Sequence, residues 1–253
     1  MTSALSHTTA TTPAVNSRHA APSRRAVLAW LAAATGAGAI IPAPALAHVS
    51  AGPAVPLAVT SPSRDDAVQH ATGPLFDGRS LGDWKPVNFG GEGEVRVEDG
   101  AIILERGNDL TGIVWTGAPL PERYTIEVEA KRVDGTDFFC ALTFPVADTH
   151  CTFVVGGWGG SLIGFSSIDG YDASENETSQ VRQLVDNRWY RIGVDVTPER
   201  IRGRLDDEWM AEVETEGRQI DVRIEMLACR PLGLASYRTV SAIRAITVTP
   251  LDV

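Results

Sequence analysis

Four carboxylates fall within nine residues, at Asp169, Asp172, Glu175 and Glu177. Crowded like charges push pKa values apart, so that one carboxyl stays ionised as a base while another keeps its proton as an acid. If the end of this segment is extended, Glu175 and Glu177 share a face about 6.5–7 Å apart. The same composition suits a solvated acidic loop, or a divalent cation site of the calcium type with Asp172 and Glu175 among its ligands. Asn176-Glu177-Thr178 also has the form of a glycosylation acceptor.

A second pair, Glu127 and Glu129, sits inside the alternating run Tyr124–Val133. Ile126, Val128 and Ala130 define one face of that run, and Glu127, Glu129 and Lys131 define the other. Charges placed centrally in a strand require a face open to water or to a polar cleft. Arg132 has the opposite parity from Glu129, which suits a structural ion pair. In Gly156-Gly157-Trp158-Gly159-Gly160, glycine marks a bulge or a close ligand approach. Trp158 either presents its ring for stacking on a ligand or packs into the core. His150, at a strand start, is an acid, a ligand or a surface loop residue. Cys140 and Cys151 flank a short turn and read as a disulfide across a hairpin or as two buried thiols. No nucleophile elbow, phosphate loop or dinucleotide fingerprint is present, so serine acyl transfer, nucleotide hydrolysis and hydride transfer are unsupported.

These side chains need a frame, and the frame is made of strands. Period-two segments cover 101–105, 112–116, 124–133, 138–144, 151–155, 161–166, 189–196, 200–206, 210–214, 232–237 and 242–249. Turn residues separate them at Asp99-Gly100, Asp134-Gly135, Asp169-Gly170 and Asp206-Asp207. About a dozen short strands at this spacing predict an all-β fold of two antiparallel sheets, as a sandwich or a barrel.

The chain has 253 residues and a net charge of −10. Residues 1–47 contain Arg18, Arg24 and Arg25 and no acid, so the remainder carries 19 basic against 32 acidic residues. A nucleic-acid or anionic-membrane surface is therefore excluded as the main partner. Ser23-Arg24-Arg25-Ala26-Val27-Leu28 resembles a twin-arginine export signal, and Ala45-Leu46-Ala47 provides a small-x-small cleavage site ending at Ala47. The apolar run between them is shorter than the roughly 20 residues a spanning helix needs. The expectation is a signal peptide over 1–47, a Pro- and Ala-rich linker over 48–72, and a folded domain over 73–253. The twin-arginine translocase is then the export partner, the destination lies outside the cytoplasm, and no membrane anchor survives processing.

Leu75-Phe76-Asp77-Gly78 with Trp84 resembles the opening motif of the 3-keto-disaccharide hydrolase family, formerly a domain of unknown function. Ile126–Arg132 is similar to its hallmark strand, Asn187–Ile192 to a later one, and Pro231–Ala235 and Ala242–Leu251 to its closing pair. The resemblance implies a concanavalin-A-like jelly-roll sandwich with a sugar site on its concave sheet. Glu129, which matches the hallmark Glu, is then the expected base or essential site carboxylate; residue chemistry alone adds Asp172 or Glu175 as acid or metal ligand and Arg238 as enolate stabiliser. Trp158, Asp169, His150 and Glu127 are the expected substrate contacts. The implied chemistry starts from a ketone at C3, which acidifies the C2 proton; removal of that proton expels the C1 substituent, and water adds to the enone. A non-catalytic carbohydrate-binding module on the same sandwich is the alternative. A retaining glucanase ranks third, because it needs two carboxyls about 5–5.5 Å apart.

Overall fold

The computed structural model of the chain describes residues 68–252. The leader over 1–47, the cleavage point at Ala47 and most of the 48–72 linker lie outside the described residues. From the N-terminal side the strands are β1 (Gly73–Pro74), β2 (Trp84–Pro86), β3 (Val95–Glu98), β4 (Ala101–Leu104) and β5 (Leu110–Trp115). They continue with β6 (Tyr124–Asp134), β7 (Cys140–Val146), β8 (Thr149–Gly156), β9 (Leu162–Ser166) and β10 (Gln180–Val181). The last five are β11 (Tyr190–Val196), β12 (Arg200–Leu205), β13 (Glu208–Glu214), β14 (Gly233–Tyr237) and β15 (Val240–Pro250).

One sheet runs β13-β12-β11-β6-β15-β4-β3, with β1 added beside β15. The other runs β10-β9-β8-β7-β14-β5-β2, and every pairing is antiparallel. The two-sheet all-β architecture read from the alternation is the one observed. Ile126, Val128 and Ala130 of β6 are fully buried, as are Leu142 and Phe144 of β7 and Phe153 and Val155 of β8. These inward rows meet in one core cluster, which is what period-two patterning produces when two sheets pack about 10 Å apart. Gly203 of β12 shows how closely the sheets approach: a Cβ there would lie 2.5 Å from the Phe153 ring.

The opening motif is a structural latch. Trp84 is fully buried and its indole N–H donates to Leu75 O at 3.0 Å. Asp77 Oδ1 accepts the Arg79 and Ser80 N–H groups, which sets the turn between them. Cys140 and Cys151 are both buried and unbridged: β7 pairs Phe144, not Cys140, with Cys151. A 3-10 helix, Ile224–Cys229, was not foreseen from the pattern. It lays Met226 and Cys229 over Ala141 and Ala235 on the outer face of the second sheet, where they form a separate apolar cluster with Val87, Leu110 and Val222.

Candidate functional site

On the outer face of the second sheet, Ala141 of β7, Thr152 and Val154 of β8, Ser166 of β9 and Tyr237 of β14 line a depression. The result is a cleft of about 430 Å³. Ala141, Val154, Thr152 and Ser166 line its floor, Leu110 and Met226 one side, and Phe138, Tyr237 and Trp158 supply aromatic surface. Asp109, Asp137, Arg223 and Glu225 bring charge to it.

Each charged group is held in a definite way. Asp109 Oδ1 accepts from Arg238 at 2.8 Å, and Glu225 pairs with Arg223 at 3.3 Å. The Arg223 side chain and the Glu225 backbone N–H hold the Glu225 carboxyl below its usual value, so it is ionised at neutral pH. Asp137 is different. Among the described residues it is the cleft carboxylate with no arginine partner; its oxygens accept the N–H groups of Phe138 at 2.8 Å and Gly159 at 3.3 Å. Phe138 and Tyr237 lie with ring centroids 5.7 Å apart. Trp158 is 44% exposed and holds φ 45, ψ 58, a left-handed conformation that a bulky side chain rarely adopts.

On the floor, Thr152 of β8 stands between Thr143 of β7 and Ser166 of β9. The Thr143 and Thr152 hydroxyls share a bond of 2.9 Å. Ser166 is 1% exposed and its hydroxyl has no hydrogen-bond partner among the described residues. A buried hydroxyl left unpaired costs about 1–3 kcal/mol, and an oxygen or nitrogen of a bound molecule would satisfy it.

The expected site residues separate into three groups. Trp158 lines the cleft. Asp172 and Arg238 stand behind it: Asp172 Oδ2 accepts from Arg223 at 2.7 Å, while Arg238 grips Asp109 and lies 5.0 Å over the Tyr237 ring. His150 shares the outward parity of Thr152 and Val154 on β8 but does not line the cleft. Burial, and then the charge of Arg230, lowers its pKa, so it is neutral at pH 7.

The second group is the remainder of the acidic segment, which is a turn and not a strand. Glu175 and Asn176 both donate backbone N–H to Asp172 O. Asp169 and Glu177 converge on Arg218, at 2.7 and 2.5 Å. Asp169 also accepts the Gln219 N–H. The extended Glu175/Glu177 pair considered for a glucanase therefore does not form, and Glu175 is exposed. Among the described residues no three His, Cys, Asp or Glu side chains are grouped to hold a metal ion. Asn176 is buried: its amide donates to Phe165 O and Asp172 O, both at 2.8 Å, and its Oδ1 accepts from Thr178. The glycosylation-like triplet is an internal clasp.

The third group is a correction. Glu127 and Glu129 lie on β6, in the sheet opposite the cleft, and point away from the core. There Glu127 accepts from Arg204 at 2.6 Å and Glu129 from Arg244 at 2.7 Å. The parity was right, but the wet face is the outer surface of the other sheet. A full sandwich thickness separates it from Asp172 and Trp158.

Asp109, Asp137, Phe138, Ser166, Arg223, Glu225 and Tyr237 escaped the sequence reading. Their signal was weak: a carboxylate or aromatic next to a strand end, at Asp109, Asp137 and Tyr237, in segments whose order across the sheet is not written locally.

Two face-to-face antiparallel sheets, with a ligand-sized cleft on one outer face, form a jelly-roll β-sandwich. The chain belongs to the family of 3-keto-alpha-glucoside-1,2-lyase-like domains, whose pattern matches residues 71–249. The family assignment places it among carbohydrate-acting domains. Among solved structures, a Bacillus subtilis protein of unknown function with a galectin-like fold superposes with a TM-score of 0.51 at 10% identity, covering 72% of this chain and 97% of that one. A Bacillus licheniformis beta-glucanase gives 0.47 at 12% identity, over 73% and 100%. A carbohydrate-binding module from Bacillus subtilis gives 0.43 at 15% identity, over 66% and 94%. No curated protein matches the chain.

Proposed function

We propose that the cleft binds a 3-keto α-glucoside and that the protein cleaves it by elimination followed by hydration. The observation that carries the proposal is the buried, unpaired Ser166 hydroxyl, on the floor of a cleft that also holds Asp137, Arg223 and three aromatic rings. Asp137 takes the base role expected of Glu129, because no arginine neutralises it. It removes the C2 proton that the C3 ketone acidifies. The electron pair forms the enolate, whose oxygen the Arg223 guanidinium stabilises. Collapse of the enolate breaks the C1–O bond, and the departing oxygen takes a proton. Ionised Glu225 cannot give that proton, so the donor is the Tyr237 phenol. Water then adds to the enone: its oxygen bonds to C1 as the Tyr237 phenolate takes its proton, and protonated Asp137 returns a proton to C2, which gives the free 3-keto sugar and restores both groups. Ser166 and Thr152 bind sugar oxygens, and Trp158 stacks on a ring.

Export through the twin-arginine route remains part of this proposal and sets its location outside the cytoplasm. A second reading, a non-catalytic carbohydrate-binding module, is favoured by one observation: Asp109 and Glu225 are both occupied by arginines. Incubating the protein with 3-ketotrehalose and with trehalose separates the readings. Cleavage of the ketone alone supports the lyase–hydrolase. Binding without turnover supports the module, and cleavage of trehalose refutes the requirement for the ketone.

A further inference from the structure

The hallmark strand β6 lies in the sheet that does not carry the cleft, yet one of its residues reaches the cleft wall. Alternation directs Arg132 inward with Ile126, Val128 and Ala130, and it is 6% exposed. A guanidinium buried at the end of a sandwich is costly unless its donors are satisfied. Four are. Nε donates to Asp186 Oδ1 at 2.6 Å, and Nη2 to Leu184 O at 3.1 Å. Nη1 donates to Gly160 O at 3.2 Å and to Asp137 O at 3.3 Å.

We infer that Arg132 is the positioning residue of the cleft, fixing Asp137 and Trp158 relative to one another; this rests on the cleft being the functional site. Asp137 O and Gly160 O belong to the two backbone segments that carry the arginine-free carboxylate and the exposed indole. Those segments are also tied directly, by the Gly159 N–H on Asp137 Oδ2. The loop between Gly156 and Gly160 cannot hold this shape alone: Trp158 and Gly159 are both left-handed, Trp158 is half exposed, and open space surrounds Gly159. Gly160 is matched to the guanidinium. Its φ is 98°, and a Cβ there would fall 2.7 Å from Arg132 Nη1 and 3.0 Å from Thr136 O. Glycine at this position lets the arginine reach the carbonyl. A lysine presents one compact charge in place of a planar fork and cannot span acceptors on three segments. Three of the four bonds go to backbone carbonyls, and two of those carbonyls, on Asp137 and Gly160, flank the cleft side chains.

The test uses the full chain with Arg132→Lys and Asp186→Asn. Arg132→Lys should lower kcat on 3-ketotrehalose by about a hundredfold, the scale of a 1 Å misplacement of a reacting group. It should also raise acrylamide quenching of Trp158, read as the difference between each protein and its Trp158→Phe counterpart. Asp186→Asn leaves the carbonyl clamp in place and should keep kcat within about twofold of wild type while lowering the unfolding temperature. Equal kcat losses in the two variants, or Trp158 quenching unchanged in Arg132→Lys, overturn the inference. Should Arg132→Lys not fold, Gly160→Ala displaces the same guanidinium, and an unchanged Trp158 signal there is equally fatal. If wild type does not turn over 3-ketotrehalose, the lyase–hydrolase reading fails, and the Trp158 signal alone decides the role of Arg132.

Discussion

Asp137 accepts the Gly159 N–H through Oδ2 at 3.3 Å, so the arginine-free carboxylate of the cleft is joined to the loop that displays Trp158. The carboxylate proposed as base and the indole proposed as sugar platform are thereby tied together, while the two outward glutamates of β6 lie on the other sheet.

Asp137→Asn should therefore lower kcat on 3-ketotrehalose by about 10²–10⁴-fold, the range for loss of a general base. Glu129→Gln should leave kcat within about twofold, since it only weakens a half-exposed pair with Arg244 worth about 0–1 kcal/mol. Comparison of the two kcat values checks this; an inactive Glu129→Gln enzyme with unchanged circular dichroism contradicts it.

Trp158→Gly removes both the ring and the left-handed penalty. The unfolding temperature should hold or rise, because glycine adopts φ 45 without strain. Affinity for the keto sugar should fall about tenfold, consistent with an aromatic contact of roughly 0.5–1.5 kcal/mol. Calorimetric titration beside a melting curve reads both quantities.

Asn176→Ala should cost about 2–3 kcal/mol, because it leaves buried carbonyls and the Thr178 hydroxyl short of partners. Urea denaturation with an unchanged m value measures it. A shift below about 0.5 kcal/mol would mean that water replaces the clasp.

The Arg218 cluster sets an acid limit. The Gln219 N–H and then Arg218 lower the Asp169 pKa; its own backbone N–H and then Arg218 lower that of Glu177. Carboxylates depressed in the folded state contribute stability that is complete above their unfolded values, near 4, and lost as pH falls through the folded ones. Arg218→Ala moves both folded values upward. The acid-unfolding midpoint should then rise, while stability at pH 7 falls only modestly because the groups are largely exposed. Tryptophan fluorescence against pH gives the midpoint, and one that stays in place rejects the cluster.

Cys140, Cys151 and Cys229 are each pushed up to about 12 by burial. The native protein at pH 8 should show no thiol reactive toward 5,5′-dithiobis(2-nitrobenzoate), and three on addition of guanidinium chloride.

The alternation of β6 was enough to sort Ile126, Val128 and Ala130 from Glu127, Glu129 and Lys131, and similar runs gave the longer strands. The short strands β1, β2, β3 and β10 lack enough period to show, and the 3-10 helix at Ile224–Cys229 is too brief to establish one. The site was harder to read because it depends on strand order. Tyr237 and Leu110 become neighbours through the pairing of β14 with β5, and Ser166 meets Thr152 through that of β9 with β8. Trp158 stood out in the sequence because four glycines surround it. Asp137 and Arg223 broke none.

The lengths of the outermost strands have a bearing on life at high concentration. The second sheet ends in β10, two residues long, and in β2, three residues long and closed by Pro86. Neither offers enough free backbone to recruit a strand from a neighbouring molecule. The first sheet ends in β13, with Glu208, Glu212 and Glu214, and in β3, with Arg96 and Glu98. A second copy aligned along β13 would set glutamates against glutamates. Among the described residues the open margins are short or charged, so edge-to-edge pairing of folded copies should be disfavoured where a longer, neutral border would promote it.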